Sequence, residues 1–197
     1  METGTERLHH KTIRSAGIPG GKEMRMIQIK RETLTETQAL ETLKERGIQI
    51  NHYAEQFISH PCFSARGPQE MTTAIVSLQE LGLNCGASIY ELIHFIKETQ
   101  YCPCPWDTGY FLRLAWTDQP QSRNSILTGT HSSPDQAVTV LSEPLERDDD
   151  FPKGLYLRNV DGDLWLRGYV CDASYRFDSD ALFALALRGQ QANPDVI

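Results

Sequence analysis

Apolar positions recur every three to four residues through the first half of this chain and every second residue through the second, and the rhythm changes beside two cysteines, Cys102 and Cys104. Between Thr33 and Gln100 the spacing predicts helices. In "TLTETQALETLKERG", Thr35 and Gln38 form a capping box, Leu40 and Leu43 share a face, and Gly47 supplies a left-handed stop. From Asn51, residues Tyr53, Ala54, Phe57 and Ile58 fall together until Pro61 ends the segment. A third helix is expected from Pro68, with Met71, Ala74, Ile75, Leu78 and Leu81 in one stripe, Glu70 in the first turn and Gly82 at the end. Ser88 and Glu91 open a fourth, striped by Ile89, Leu92, Ile93 and Ile96 with Phe95 beside it. The short link "LNCGA" predicts that these last two helices pack as a hairpin.

Past Pro105 the alternation predicts strands. "YFLRLAW" sends Tyr110, Leu112, Leu114 and Trp116 to one side and Phe111, Arg113 and Ala115 to the other; "AVTVL" and "ALFALAL" are further strand-like runs, the latter also open to a helical reading. "GLYLRNVDGDLWLRGYV" is a hairpin turning at Asp161-Gly162, because a type I′ turn needs positive φ at both central positions. Pairing Val160 with Asp163 sets Leu157 against Leu166, Asn159 against Leu164 and Leu155 against Gly168 on an apolar face, and leaves Tyr156, Arg158, Trp165 and Arg167 on the other. The expected fold class is α+β, with N-terminal helices packed on a C-terminal, mainly antiparallel β-sheet. The expected organisation is a mobile basic leader over 1–31, a helical part over 32–100, a sheet part over 101–188 and a tail over 189–197. Within the leader, the folded part is expected to open near Met24 or Met26.

Composition narrows the function. The 197 residues suit one mid-sized domain or two small ones, and with 40% apolar residues no stretch nears the ~18 consecutive apolar positions of a membrane helix. Five cysteines without an N-terminal apolar segment favour free thiols and a cytoplasmic location. The net charge is −7; residues 1–31 hold seven Lys and Arg against three Glu, so the rest, with 12 basic against 23 acidic side chains, stands at −11. Such a body repels nucleic acid unless a local patch overrides its field.

Cys102-Pro103-Cys104 is one residue tighter than the closest zinc-ligand spacing, and the remaining soft ligands are singletons, so no metal is expected. A disulfide across one residue is strained, and the pair follows a helix instead of opening one, unlike a redox pair. The plainer reading is a stiff corner in which Pro103 and Pro105 hold the chain extended and small thiols fill the space beside Trp106. His60-Pro61-Cys62 raises the thought of a thiol hydrolase, but adjacency in sequence is not the geometry of a Cys–His couple. No phosphate-binding loop, dinucleotide fingerprint or His-Glu-x-x-His pair is present, and no cofactor is expected. The acid run from Glu146 to Asp150 lacks the alternating ligands of a calcium loop and reads as a solvated face.

The candidate binding constellation is Tyr156, Arg158, Trp165 and Arg167, joined by Arg113 if its strand lies alongside: an amphipathic platform suited to an acidic peptide or to stacked bases. Cys104-Pro105, Gly109, Leu112-Arg113-Leu114 and Asp118-Gln119-Pro120 form a pattern that resembles a family of uncharacterised bacterial proteins. The resemblance implies a bacterial cytoplasmic origin and carries no activity. The favoured expectation is a non-enzymatic interaction protein whose partner is a protein or a second copy. The rivals are a small-molecule hydrolase or transferase with a junction cleft at Cys102, Cys104 and Trp106, and a nucleic-acid accessory using the basic leader.

Overall fold

The structure is a computed structural model that describes residues 24–63, 69–122 and 134–189. Its elements are β1 (Arg25–Arg31), α1 (Glu36–Glu45), β2 (Gln49–Ile50), α2 (His52–Ile58), β3 (Gln69–Ser77), α3 (Ile89–Phe95) running into a 3₁₀ turn (Ile96–Glu98), β4 (Tyr101–Cys102), α4 (Thr108–Ala115), β5 (Val138–Val140), β6 (Gly154–Val160), β7 (Asp163–Tyr169) and β8 (Leu182–Leu187). The strands form one curled mixed sheet in the order β1-β3-β8-β5-β6-β7-β2. β8 is shared on one side: β5 pairs in parallel with Leu182 to Ala184, and β4 pairs antiparallel with Ala186 and Leu187. The other parallel contact joins β2 to β7, and the remaining pairs are antiparallel.

The protein is thus α+β, but its helices and strands are not segregated as the sequence reading expects. β1 to β3 come from the N-terminal half and α4 from the C-terminal half, so the proposed 32–100 helical and 101–188 sheet parts interleave. Arg25–Arg31, assigned to the leader, is an edge strand buried at Ile27, Ile29 and Arg31. Residues 1–23 and most of the tail lie outside the described residues.

Both faces of the sheet are covered. One carries α1, α2 and α4 over Ile27, Met71, Val138, Leu157 and Ala184; the other carries α3 and its 3₁₀ turn over Ala74, Val76, Leu141, Phe183 and Leu185. This explains the first misreading. Met71 to Val76 are all buried because β3 is an inner strand with apolar neighbours on both sides, and a continuously buried run fits a helical stripe as well as a strand. Its β-branched Thr72, Thr73, Ile75 and Val76 favour the extended form that it adopts. The expected helix from Pro68 and the helical hairpin through "LNCGA" are therefore replaced by a strand and a turn, with Gly82 at φ +89°.

The second misreading concerns "YFLRLAW", which lies mostly in α4. The apparent alternation counts Arg113 as an outward position, yet Arg113 is fully buried. Thr108, Gly109, Leu112, Arg113 and Trp116 are all buried and recur at helical spacing once it is included. Gly109 lets this helix approach β6, since a Cβ there would lie 3.0 Å from Leu155 side-chain atoms. An ion pair fixes its start: Arg31 Nε donates to Asp107 Oδ1 at 2.7 Å, and Nη1 reaches Gln69 Oε1 at 2.8 Å.

Local signals elsewhere act as read. Thr35–Gln38 and Ser88–Glu91 are complete capping boxes, and Gly47 stops α1 at φ +67°. The β6–β7 hairpin has the expected register, with Asp161 and Gly162 at φ 53° and 91°. One device has no simple sequence signal. Asn51 caps α2 and also brackets the β7 backbone, accepting from Gly168 N at 2.8 Å and donating to Gly168 O at 2.9 Å. A Cβ on Gly168 would lie 2.4 Å from the Tyr53 carbonyl carbon and 2.6 Å from Ala54 N, all rigid backbone.

Gly168→Ala is accordingly expected to lower the unfolding free energy by about 3 kcal/mol. Gly47→Ala, where the new methyl meets open space, is expected to cost only about 1 kcal/mol through its left-handed backbone. Urea denaturation of the two variants checks the contrast, and similar small losses in both would contradict the close α2–β7 approach.

Candidate functional site

Four of the five platform residues come together. Tyr156 opposes Arg167 and Arg158 opposes Trp165 across β6 and β7, all on the face turned away from α2 and α4. Tyr156 and Trp165 belong to neither apolar cluster. Tyr156, Trp165 and Arg167 are partly exposed, whereas Arg158 is buried. The Arg167 guanidinium carbon lies 5.1 Å from the Trp165 ring centroid, so the cation stacks along its own strand. It also bonds to the Tyr156 side chain, while its buried Nε has no partner among the described residues. Arg158 Nε donates to Ser122 Oγ at 2.9 Å, which in turn donates to the Asp135 carbonyl. Burial pushes Arg158 below its ordinary arginine value, and Arg167 adds to the effect as a neighbouring like charge.

Arg113 does not join them. Strand alternation would have carried it to this face, but α4 turns it inward beneath the opposite face. There Nη1 donates to Gln119 Oε1 at 2.6 Å and Nη2 to the Trp116 carbonyl. Gln119 Nε2 passes the network on to the carbonyls of Gln136 at 2.9 Å and Leu157 at 3.1 Å, and Asn159 Nδ2 returns to Gln119 O at 2.8 Å. The Leu-Arg-Leu and Asp-Gln-Pro motifs are thus halves of one bonded unit that ties α4 to β6. Desolvation lowers Arg113 to about 10.

The junction residues line neither of the two described cavities. Cys102 and Cys104 are buried, and their thiols donate to the carbonyls of Ala186 at 3.7 Å and Ala184 at 3.5 Å. Burial raises the pKa of both. Trp106 Nε1 donates to Glu143 O at 2.8 Å. Of the two cavities, one of about 290 Å³ is lined by Leu34, Glu36, Ile58, Ser59, His60 and Phe63. The other, about 460 Å³, lies among Arg25, Ser77, Glu80, Asp135, Asp180 and Leu182.

His60 is engaged at both ring nitrogens. Nδ1 accepts from Cys62 N at 3.2 Å, which leaves Nε2 to carry the proton and face Glu146 Oε1 at 3.2 Å. Neither nitrogen is turned to the Cys62 thiol. The acid run is also committed: the fully buried Lys153 places Nζ 2.6 Å from Asp148 O, 3.3 Å from Glu146 O and 3.7 Å from an Asp149 carboxylate oxygen. Among the described residues no three His, Cys, Asp or Glu side chains gather as metal ligands, and no helix is long and apolar enough to cross a membrane.

All five cysteines are free, but their surroundings differ. A maleimide dye at neutral pH is expected to label the exposed Cys62 and Cys85 promptly and to leave Cys102 and Cys104 unmodified until denaturant is added. Peptide mapping by mass spectrometry reads this out, and early modification of Cys104 would show an open junction.

Comparison of the chain with protein-family models, with curated proteins and with solved structures finds no match, so the site rests on its own geometry.

Proposed function

We propose that this is a non-enzymatic interaction protein that receives a partner protein on the aromatic–arginine face of β6 and β7. The observation that carries the reading is the Arg167 guanidinium stacked on Trp165, a partly exposed ring that enters neither core. Trp, Tyr and Arg dominate binding energy at protein interfaces, because each offers a large, partly apolar surface together with a directed polar group. Strand pairing holds these side chains in place before any partner arrives, which reduces the entropy lost on docking.

The enzyme rival gains less support. Its junction thiols are buried with raised pKa, and His60, two residues before Cys62, is bonded at both ring nitrogens. The nucleic-acid rival rests chiefly on residues 1–23, outside the described residues. Of the leader's remaining basic residues, Arg31 is bound to Asp107, and Arg25 lies 3.8 Å from Asp118 and over the Trp116 ring.

Affinity capture from native cell extract tests the proposal, with wild type compared with Trp165→Ala and Arg167→Ala. Both variants are expected to keep the wild-type urea midpoint within about 1 kcal/mol of unfolding free energy and to lose the same captured protein. Retention of that protein by both folded variants would refute the docking face.

A further inference from the structure

We infer that the segment docking on the β6–β7 face presents carboxylates, and that Arg167 is the residue that pairs with them. The inference rests on the reading of this face as a docking surface and adds the chemistry of the occupant. Arg158 and Arg167 sit diagonally on adjacent strands, each opposite an aromatic residue of the other strand. Two guanidinium groups on one face repel, and an anion placed at them recovers that cost. Arg158 is buried, braced by Ser122 and acted on by the Asp135 charge, so the positive charge presented outward is that of Arg167. Arg167 is partly exposed and, among the described residues, pairs with no carboxylate; its contacts are the Tyr156 side chain and the Trp165 ring.

A guanidinium stacked on a ring keeps its N–H edge directed sideways, which is the arrangement that a carboxylate meets through two parallel hydrogen bonds. Trp165 and Tyr156 supply apolar flanks for the backbone and side-chain stems around that carboxylate. The charge of the whole molecule selects further. Beyond residue 31 the chain stands at −11, so a long polyanion such as nucleic acid meets a repelling body. A short acidic segment instead responds to the guanidinium groups within a Debye length of about 8 Å. The matching occupant is therefore an acidic stretch of another protein.

The probe is a synthetic peptide of alternating Glu and Gly residues, with its Gln-for-Glu counterpart as the neutral control. Both are titrated into the full-length protein while tryptophan emission is followed, with Trp165→Phe assigning the signal. The Glu peptide is expected to bind, to weaken as salt is raised, and to compete with the captured partner, while the Gln peptide does none of these. Arg167→Gln is expected to weaken binding by about tenfold, the loss of one charge-assisted pair. Arg167→Lys, which keeps the charge without the fork, should fall between the two. Equal binding of the two peptides, competition by inorganic phosphate as effective as that of the peptide, or self-association abolished by Arg167→Gln would each overturn the inference. A Glu peptide that fails to bind while partner capture still requires Trp165 and Arg167 would overturn the acidic occupant and leave the docking face standing. Capture indifferent to both residues would remove the face itself.

Discussion

A cation withdrawn from water must be given hydrogen-bond acceptors by the chain around it, and in this protein that demand shapes the connections between elements. Arg31, Arg113, Lys153 and Arg158 are all buried, and Arg31 is met by both carboxylate oxygens of Asp107. Arg113 is held by a glutamine and a backbone carbonyl, and Lys153 by carbonyls with an aspartate at longer range. Removing a partner from such an arrangement strands a charge at a cost of several kcal/mol, so each one fixes a loop more firmly than apolar contact alone. The segments after α4 and before β6 owe their paths to these clasps.

The sheet that they brace is enclosed on both sides at its centre, whereas toward β6 and β7 one side leaves Tyr156, Trp165 and Arg167 partly exposed. β3 and β8 divide their side chains between two cores, whereas β6 and β7 send Leu155, Leu157 and Leu166 into one core and their arginines and rings the other way. The difference between the two ends of the sheet makes one a scaffold and the other a surface. The Asn51 side chain, bracketing Gly168 as a neighbouring peptide would, continues the β2–β7 pairing past the end of a two-residue strand.

What could be read from the sequence follows the same physical division. Features fixed within a few residues were legible: both capping boxes, the left-handed stop at Gly47, and the hairpin with its register and therefore its two faces. These depend on local hydrogen bonds and on φ signs that few residues tolerate. β3 and α4 were misread because their periodicity is set by burial from distant parts of the chain. A strand covered on both faces has no polar phase, and a helix that buries an arginine shows the wrong one. The platform was legible for Tyr156, Arg158, Trp165 and Arg167 because the turn at Asp161-Gly162 determines which side chains share a face. Arg113 was misplaced with its element, and the lone charge between two leucines was the available sign that it could point inward. Which arginine would be buried on the platform depended on Ser122 and Asp135, residues from other segments.

The clasp around Lys153 has a consequence for how the molecule meets its medium. An acidic loop organised by a captured divalent ion changes shape as that ion comes and goes, and so reports its concentration. Here the counter-ion is covalently part of the chain, so holding the loop in this form calls on no diffusible ion. The carboxylates outside the clasp remain as surface charge, above a backbone whose Glu146 and Asp148 carbonyls accept from Lys153.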